Sequence, residues 1–310
     1  MDFEPNADQA AILEGLEQLI ATVDVDAPKT GVFAAFSPVL DQELRRGGFL
    51  QIAQEEGCSL VDAALVVERV ARLPVSAEAA VSALVAPLLP HIGPGPLALG
   101  SSRTAPARFL PQASALLVDT GEDVVLLQLA SDDVEPVETL FAYPYGRLRR
   151  PDSLPGKSLG GGSAGPLRRR WRLAMAVEAA GLMQAAVDEV VEHVKTRQQF
   201  GRPLGSFQAV QHRLAMAAAT AQSARWLAMR AAWSDDETDC AVAATYAQDA
   251  TPRLTYDLHQ FCGAMGLTLE FRLHHWTYRL KALMGELGGS SRQARAAAAH
   301  AWRQSADALR

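Results

Sequence analysis

Apolar residues recur at helical spacing through the first part of the chain. Between residues 8 and 89 they return every three or four positions, which places them on one face of each of several helices. Asn6 or Asp8 can cap the first of these helices. Ser59, with Asp62 three residues later, predicts a capping box at the start of another. The pattern therefore predicts a block of amphipathic helices that pack on one another.

The pattern changes between residues 90 and 159. Two short apolar runs, Ala115–Asp119 and Val124–Leu129, are separated by a turn-forming stretch and predict two paired strands. The glycine-rich segment 160–165 follows. It lacks the preceding strand and the following Lys-Ser/Thr of a phosphate-binding loop, so we interpret it as a flexible connection.

After Pro166 the chain returns to helical patterning almost to its end. Pro252 lies inside one of these patterns and should kink or divide that helix. The predicted helices are Ala174–Val194, Val210–Trp233, Cys240–Phe261, Leu273–Met284 and Gln293–Leu309. We expect a mainly α fold with a small β domain, divided into an N-terminal helical domain (1–89), a middle β domain (90–159) and a C-terminal four-helix bundle (160–310).

The composition is that of an ordinary globular protein. Of 310 residues, 49% are hydrophobic and 21% are charged. The net charge of −6 disfavours a nucleic-acid partner. Seven arginines still form a local basic zone, which we interpret as a solvated face or a contact with acidic side chains: Arg147, Arg149, Arg150, Arg168, Arg169, Arg170 and Arg172.

The sequence contains no sign of a metal centre, a signal peptide or a membrane span. Three cysteines at spacings unlike a zinc motif predict a reducing compartment. His274 and His275 should point in different directions from a helix and so should not share a metal. The longest apolar stretch, 173–191, is interrupted by carboxylates. We expect a cytoplasmic protein.

The most informative stretch is the run from Lys195 to Gln208, KTRQQFGRPLGSFQ. An arginine in such a run can hold a pyrophosphate with two hydrogen bonds, Gly201 and Gly205 allow close backbone approach, and Phe200 and Phe207 offer apolar faces to a ring. A helix end followed by a Gly-Pro turn is the alternative interpretation. The run closely resembles the R-x-Q-F-G-x-P-L-x-x-F-Q signature of acyl-CoA dehydrogenases, and this resemblance makes FAD the expected cofactor.

Two further motifs resemble that family. Gly181–Gln184 is similar to its G-L-M-Q segment, and Gln260–Gly266 is similar to its Q-x-x-G-G-x-G motif, with the expected glutamate at Glu270. In the family such residues hold the adenine and pyrophosphate half of an FAD that belongs mainly to a neighbouring subunit. The resemblance assigns this role to eight residues, among which Ala264 replaces a glycine: Arg197, Gln199, Phe200, Phe207, Gln208, Gln260, Gly263 and Ala264.

Two parts of the family pattern are missing from the middle domain. Neither the T-E-P-x-x-G-S-D loop, which touches the flavin ring and the thioester, nor the W-I-T strand beside the flavin occurs in this chain. The nearest stretch, residues 97–103, leads almost directly into the two predicted strands, so the β domain looks truncated. The resemblance therefore implies that this chain alone cannot complete a pocket for the flavin ring.

The catalytic base of the family has no counterpart either. Members place a glutamate just before a G-T-S-like turn, where this sequence has Leu287. Glu286 is one residue away, which on a helix would turn it by about 100°. A second base position of the family, on the first helix of the last domain, holds Trp171. Glu178, further along the same face, is a distant candidate whose alternative is a carboxylate paired with an arginine.

By resemblance, the chain keeps the residues that serve a neighbour's flavin and lacks those that serve its own. We therefore expect the short subunit of a heteromeric acyl-CoA dehydrogenase, similar to the α2β2 enzymes of bacterial steroid side-chain β-oxidation. A full-length partner subunit would hold the base, and the pair would catalyse FAD-dependent α,β-dehydrogenation of an acyl-CoA, with an electron-transfer flavoprotein as acceptor. Two alternatives stay open: a homomeric dehydrogenase that uses Glu286 or Glu178, and a non-catalytic scaffold.

Overall fold

The computed structural model describes residues 4–26, 35–89 and 95–308. Its helices in these ranges are α1 Ala7–Ala21, α2 Pro38–Arg46, α3 Leu60–Ala71, α4 Ala80–Leu84, α5 Ala164–Thr196, α6 Gln208–Ser234, α7 Glu237–Cys262, α8 His274–Leu283 and α9 Ser290–Ala308. Its strands are β1 Leu97–Gly100, β2 Ala107–Arg108, β3 Ala115–Asp119, β4 Val124–Gln128, β5 Val134–Val137, β6 Tyr145–Leu148, β7 Gly156–Ser158, β8 Gln198–Gln199 and β9 Arg202–Pro203.

This order of elements confirms the predicted fold class, mainly α with a small β region between two helical regions. The domain boundaries stay predictions. Residue 90, where the β domain was predicted to begin, and Leu309, where the last helix was predicted to end, lie outside the described residues.

The predicted helix starts are correct in the N-terminal block. Asn6 caps α1, with its side chain accepting from the backbone N–H of Gln9 at 2.9 Å. Ser59 and Asp62 form the predicted capping box at the start of α3. Both caps satisfy backbone N–H groups that no helical carbonyl can reach, and this is why so local a sequence signal is reliable.

The strands form two small sheets. β3 and β4 pair antiparallel at the predicted positions, and β1 and β7 flank them in the order β1-β3-β4-β7. The second sheet has the order β2-β6-β5. The sequence pattern missed β1, β2 and β5 to β7, because strands of two to four residues are too short to show an alternating pattern. Apolar side chains between the sheets, such as Leu116 and Leu148, are buried together.

α5 is the central element of the structure. It is 33 residues long, most of its side chains are buried, and it packs against α3, α6, α7 and α8. Gly181 lies where α5 crosses α3. A Cβ atom at Gly181 would come within 2.3 Å of the Glu68 carbonyl oxygen and 2.9 Å of the Ala71 Cβ. The two helices therefore touch backbone to backbone at this glycine.

The structure refines three predictions about the helical region. α5 begins at Ala164, ten residues earlier than predicted, because its arginine-rich first turns are stabilised by ion pairs that the apolar pattern does not show. α7 is not divided at Pro252, one of the two predicted outcomes, since Ala247 and Leu254 on either side are buried in the bundle; the predicted kink stays a prediction. The glycine-rich segment 160–165 is attached to the β region by a hydrogen bond, because Ser163 Oγ donates to Asp123, in the turn after β3, at 2.7 Å.

Within the described ranges, no helix is long and apolar enough to cross a bilayer. No group of three or more histidine, cysteine, aspartate or glutamate side chains in those ranges could hold a metal ion. The prediction that His274 and His275 point apart is wrong, because their ring centroids lie 4.0 Å apart at the start of α8. Burial lowers the pKa of His275 to about 3, which keeps this ring neutral.

Candidate functional site

The first group of predicted FAD-binding residues lies on a tight hairpin after α5. β8 pairs with β9, and the two connecting residues, Phe200 and Gly201, have positive φ angles of 52° and 78°. This conformation is unusual for phenylalanine and is imposed by the two-residue turn. The Phe200 side chain is 88% exposed. Arg197, at the end of α5, is also exposed and has no carboxylate within 4.0 Å among the residues described.

Aromatic and cationic side chains continue along the same surface. The rings of Phe200 and Phe207 meet edge to face with centroids 6.1 Å apart, and the Arg202 guanidinium lies 3.9 Å from the centre of the Phe207 ring. Stacking of this kind holds a guanidinium in place. Gln199 and Gln208 are exposed beside these groups. The hairpin thus presents positive charge, amide groups and ring faces together.

The second group lies at the end of α7. Gln260, Gly263 and Ala264 are exposed. Gly263 ends the helix with a φ of 57°, and no atom lies within 4 Å of the point where a Cβ would be. Glycine suits this position because it adopts the left-handed conformation and leaves its backbone uncovered. A groove of about 790 Å³ runs alongside, with lining that includes Gln260, Gly263, Tyr256, Tyr278 and Lys281.

Helix packing places the two groups at the same end of the bundle. α6 and α7 are joined by two residues only and pack against each other, so they run antiparallel, and the start of α6 lies beside the end of α7. Arg213 on α6 spans the contact. It forms an ion pair with Asp257, and its guanidinium lies 5.3 Å from the centre of the Phe261 ring. Two distant sequence segments therefore contribute to one region of the surface.

The two candidate bases meet at a single arginine in a cleft between the strands and the bundle. The Arg108 guanidinium lies 3.0 Å from Glu178 Oε2 and donates through Nε to Glu286. The Tyr143 hydroxyl donates to Glu178 Oε1 at 2.6 Å, and the Trp171 indole N–H donates to Glu286 Oε2 at 2.7 Å. The two carboxylate side chains are 9% and 13% exposed. We call these five residues the Arg108 cluster.

Burial and neighbouring charges shift the pKa values of Arg108 and Tyr143. Burial acts to lower the pKa of Arg108, but Glu178 and Glu286 outweigh it and raise the pKa well above its ordinary value. Burial, together with Glu178, raises the pKa of the Tyr143 hydroxyl, which therefore stays protonated and able to donate. Each carboxylate already accepts hydrogen bonds from a cation and a second donor. Both carboxylates are therefore engaged in hydrogen bonds within the chain.

The structure corrects the predicted direction of Glu286. This residue begins a 3-10 turn, Glu286–Gly288, rather than lying within a helix, and its carboxylate enters the cleft. Leu287, in the family's base position, has a φ of 51° and packs against the core of the N-terminal helices. Trp171, at the second base position, binds Glu286. Glu178 is paired with Arg108, in line with the alternative interpretation of that residue.

Sequence reasoning missed Arg108 and Tyr143. Arg108 belongs to a strand of two residues, and Tyr143 lies between strands. Their carboxylate partners are 35 to 178 residues away along the chain. The only signal was indirect, because a buried glutamate requires a cation or donors nearby. That requirement says nothing about which cation it is.

Six of the seven arginines in the basic zone form two sets with acidic partners, and the seventh, Arg150, is exposed. One set, on β6 and just after it, binds Glu135 through Arg147 and Arg149. The other set is on the first turns of α5, and each member has a carboxylate partner: Arg168 with Asp119, Arg169 and Arg170 with Asp235, and Arg172 with Glu237. The acidic-contact interpretation of this zone is therefore correct.

Comparison with known proteins gives a family match over the C-terminal helices. Residues 169–302 match the family described as "Acyl-CoA dehydrogenase, C-terminal domain". Acyl-CoA dehydrogenase FadE34 of Mycobacterium tuberculosis (strain ATCC 25618 / H37Rv) is 38% identical over 125 residues, which cover 38% of this chain and 18% of that protein. The chain thus matches less than a fifth of this relative's length.

Solved structures extend the likeness to almost the whole chain. The ChsE4-ChsE5 complex from Mycobacterium tuberculosis contains a chain with a TM-score of 0.75 and 20% identity, covering 95% of this chain and 97% of that one. The Tcur3481-Tcur3483 steroid ACAD gives a TM-score of 0.72 at 21% identity, covering 96% of this chain and 99% of that one. The chain therefore has the acyl-CoA dehydrogenase fold.

The fold and the C-terminal match together identify the class. Residues 169–302 match the C-terminal domain of acyl-CoA dehydrogenases, as the motifs in that region indicated, and the chain as a whole has the fold of that family. This family indicates FAD as the cofactor. The exposed Arg197, the exposed Phe200 ring and the uncovered backbone of Gly263 fit the pyrophosphate and adenine half of that molecule. The cleft between the strands and the bundle, by contrast, contains the ion pairs of Arg108 with Glu178 and Glu286.

Proposed function

We propose that this chain is the short subunit of a heteromeric acyl-CoA dehydrogenase and that it holds the pyrophosphate and adenine half of an FAD shared with a full-length partner. The contrast between two surfaces is the observation that carries the proposal. The surface of Arg197, Phe200 and Gly263 is open, and Arg197 has no carboxylate within 4.0 Å in the part of the chain that the structure describes. In the chain's own cleft, both candidate carboxylates are bound by Arg108.

The chain's own residues would act by binding and orientation. Arg197 would clamp the pyrophosphate bidentately, the amides of Gln199 and Gln260 would donate to its oxygens or to the adenine, and Phe200 and Phe207 would cover the ring. The arrangement is partly built in advance, because the hairpin and the end of α7 set these positions without a ligand. Binding would therefore cost less ordering of side chains.

The reaction of the complex would be α,β-dehydrogenation of an acyl-CoA. A carboxylate of the partner would remove the α-proton, and bound FAD would supply the acceptor for the β-hydride. An electron-transfer flavoprotein would then remove the two electrons. A steroid side-chain thioester is our preferred substrate class. The support for it is the likeness to the Tcur3481-Tcur3483 steroid ACAD, together with the pattern of retained and missing motifs.

The test is to co-express the chain with full-length acyl-CoA dehydrogenase subunits and to measure the native mass and the flavin absorbance of the complex. Arg197→Ala should leave the complex assembled but reduce its FAD content. Arg46→Ala is the control. Arg46 has a side chain that is 77% exposed and pairs with Glu43 on α2, so its loss should leave FAD content unchanged.

The two alternatives predict different results. A homomeric enzyme would be yellow and active when purified alone, and the pairing of Glu178 and Glu286 with Arg108 disfavours it. A non-catalytic scaffold would form the complex, but Arg197→Ala would leave the flavin content as it was. Either result would replace the proposal.

A further inference from the structure

A further groove lies between the N-terminal helices and the C-terminal bundle. It has a volume of about 930 Å³ and is lined by residues of α1, α3, α5 and α6 and by Trp276 at the start of α8. A cavity of this size is in the range of small-molecule sites. None of the eight residues expected to hold FAD lines it, and no residue of the Arg108 cluster does. We call it the N-terminal groove, and it is separate from both surfaces described above.

Carboxylates outnumber cations in the lining of the N-terminal groove. It is lined by four arginines and by six acidic side chains: Glu4, Glu17, Glu68, Asp188, Glu189 and Glu192. Three of the arginines have acidic partners: Arg69 with Glu17, Arg72 with Asp188, and Arg225 with Glu68. The fourth, Arg272, is exposed, and its guanidinium lies 5.9 Å from the centre of the Trp276 ring. The excess of negative charge favours a cationic ligand, as does the charge of −6 on the whole chain.

Glu68, on α3, is a buried carboxylate that lacks a hydrogen-bond donor. Its side chain is 8% exposed, and its Oε1 atom accepts no hydrogen bond from any residue that the structure describes. Arg225 lies 3.5 Å from the other oxygen, and Arg72 lies 4.0 Å from Oε1, which is too far for a hydrogen bond. A buried polar atom without a partner destabilises a protein. A ligand with N–H groups would supply the missing donor.

Glu189, on α5, is a second carboxylate of the groove without a close cation. It is half-buried, and in the described part of the chain no basic nitrogen lies within 4.0 Å of its carboxylate. Burial raises the pKa of Glu189, and the charge of Arg272 acts in the opposite direction without cancelling that effect. A cation bound beside Glu189 would stabilise its charged form. Its neighbour Asp188, by contrast, already has Arg72 at 2.8 Å.

The lining favours an organic cation over a metal ion. Within the described ranges, no three acidic, histidine or cysteine side chains are arranged to hold a metal. Apolar side chains also line the groove beside the carboxylates: Leu13, Leu65, Leu73, Pro74 and Trp276. A linear polyamine alternates ammonium groups with methylene chains. Its ammonium groups can donate to separate carboxylates while its methylene groups cover the apolar lining.

We infer that the N-terminal groove binds a linear polyamine, with Glu68 and Glu189 accepting hydrogen bonds from two of its ammonium groups. Each ammonium carries two or three N–H donors, and hydrogen bonds between charged groups are the strong ones. Arg225 stays on the other oxygen of Glu68, so the ligand adds a donor without replacing an ion pair. The inference does not depend on the proposed function, because neither the partner subunit nor any residue expected to hold FAD is involved.

The test is calorimetric titration of the purified protein with spermidine and, separately, with magnesium chloride at the same ionic strength. We expect spermidine to bind, and Glu189→Gln to weaken binding about tenfold or more, as for the loss of a charge-assisted hydrogen bond. Glu68→Gln should weaken it similarly. Glu56→Gln is the matched control, because it removes the same charge from an exposed residue that does not line the groove. It should change the affinity less than about twofold.

Several outcomes would overturn the inference. Spermidine might be attracted only by the overall charge of the chain, in which case Glu56→Gln would weaken binding as much as Glu189→Gln. Magnesium binding as tight as that of spermidine would show that the methylene groups contribute nothing. The absence of spermidine binding would refute the inference directly. Glu189 has no close partner within the described chain, so Glu189→Gln should fold normally and decides the question even if Glu68→Gln is unstable.

A last measurement separates the N-terminal groove from the surface of Arg197. Arg197 does not line the groove, so Arg197→Ala should bind spermidine as the unmodified protein does, and loss of that binding would overturn the inference. The FAD content of the co-expressed complex tests the proposed function instead. Glu189→Gln should leave that content unchanged, so either idea can fail without the other.

Discussion

Replacing Arg108 by methionine tests whether the cluster in the cleft is a true buried ion network. The substitution keeps most of the side-chain volume but removes the cation that lies within 4.0 Å of both Glu178 and Glu286. Their side chains are 9% and 13% exposed, so water cannot replace the lost partner. Breaking a buried pair by removing one partner costs about 3–5 kcal/mol. The guanidinium also lies 4.6 Å from the centre of the Tyr143 ring, and this contact would be lost too.

Urea unfolding of the purified protein would measure the effect. We expect Arg108→Met to lower the free energy of unfolding by about 3–5 kcal/mol at neutral pH. Adding Glu178→Gln and Glu286→Gln to the variant should recover most of the stability, since no unpaired charge then remains.

The control for this experiment is Arg46→Met. Its partner is Glu43 and its side chain is 77% exposed, so we expect a change of about 0–1 kcal/mol. A loss below about 1 kcal/mol for Arg108→Met would refute the reasoning, because it would mean that water reaches both carboxylates. A loss that the two glutamine substitutions do not relieve would show that packing rather than charge is responsible.

Three further predictions concern stability. Gly181→Ala should destabilise the protein by about 1–3 kcal/mol, because the new Cβ would lie 2.3 Å from the Glu68 carbonyl oxygen. Gly165→Ala is the control, since no atom lies within 4 Å of the position of its new Cβ, and thermal unfolding would compare the two variants. Burial raises the pKa of Glu78 from 4.5 to about 7, so its contribution to the free energy of unfolding should fall as pH rises from about 4.5 to about 7 and stay level above that. Urea denaturation across this pH range would measure the fall, and Glu78→Gln should abolish it. Ser59→Ala should cost about 1 kcal/mol through loss of the capping box, and an unchanged urea midpoint would contradict this.

Much of the secondary structure could be predicted because its causes are local. Helical periodicity and the caps at Asn6 and Ser59 placed α1 and α3, and two short apolar runs on either side of a turn placed β3 and β4. Predictions failed where long-range contacts decide the local conformation. Buried neighbours in the bundle keep α7 continuous through Pro252, and ion pairs support the arginine-rich start of α5.

The same distinction between local and long-range causes applies to the candidate site. The eight residues expected to hold FAD were found from short motifs, since backbone turns and an exposed arginine are encoded within a few positions. Their FAD-binding role stays a proposal. The Arg108 cluster could not be found in this way, because Arg108 and Glu286 are 178 residues apart along the chain. Glu286 itself was assigned the wrong direction, because its local backbone is a 3-10 turn and not a helix.

By itself, then, the sequence determined the fold class, the family resemblance with its expected cofactor, and the absence of a base at the two positions where the family places one. Only the tertiary structure decided that Glu178 and Glu286 share one arginine and that the two motif segments lie at the same end of the bundle. The physical reason is the distance along the chain over which each kind of interaction acts. Helix periodicity and capping act over a few residues, whereas ion pairs, burial and cleft shape depend on parts of the chain that only folding brings together.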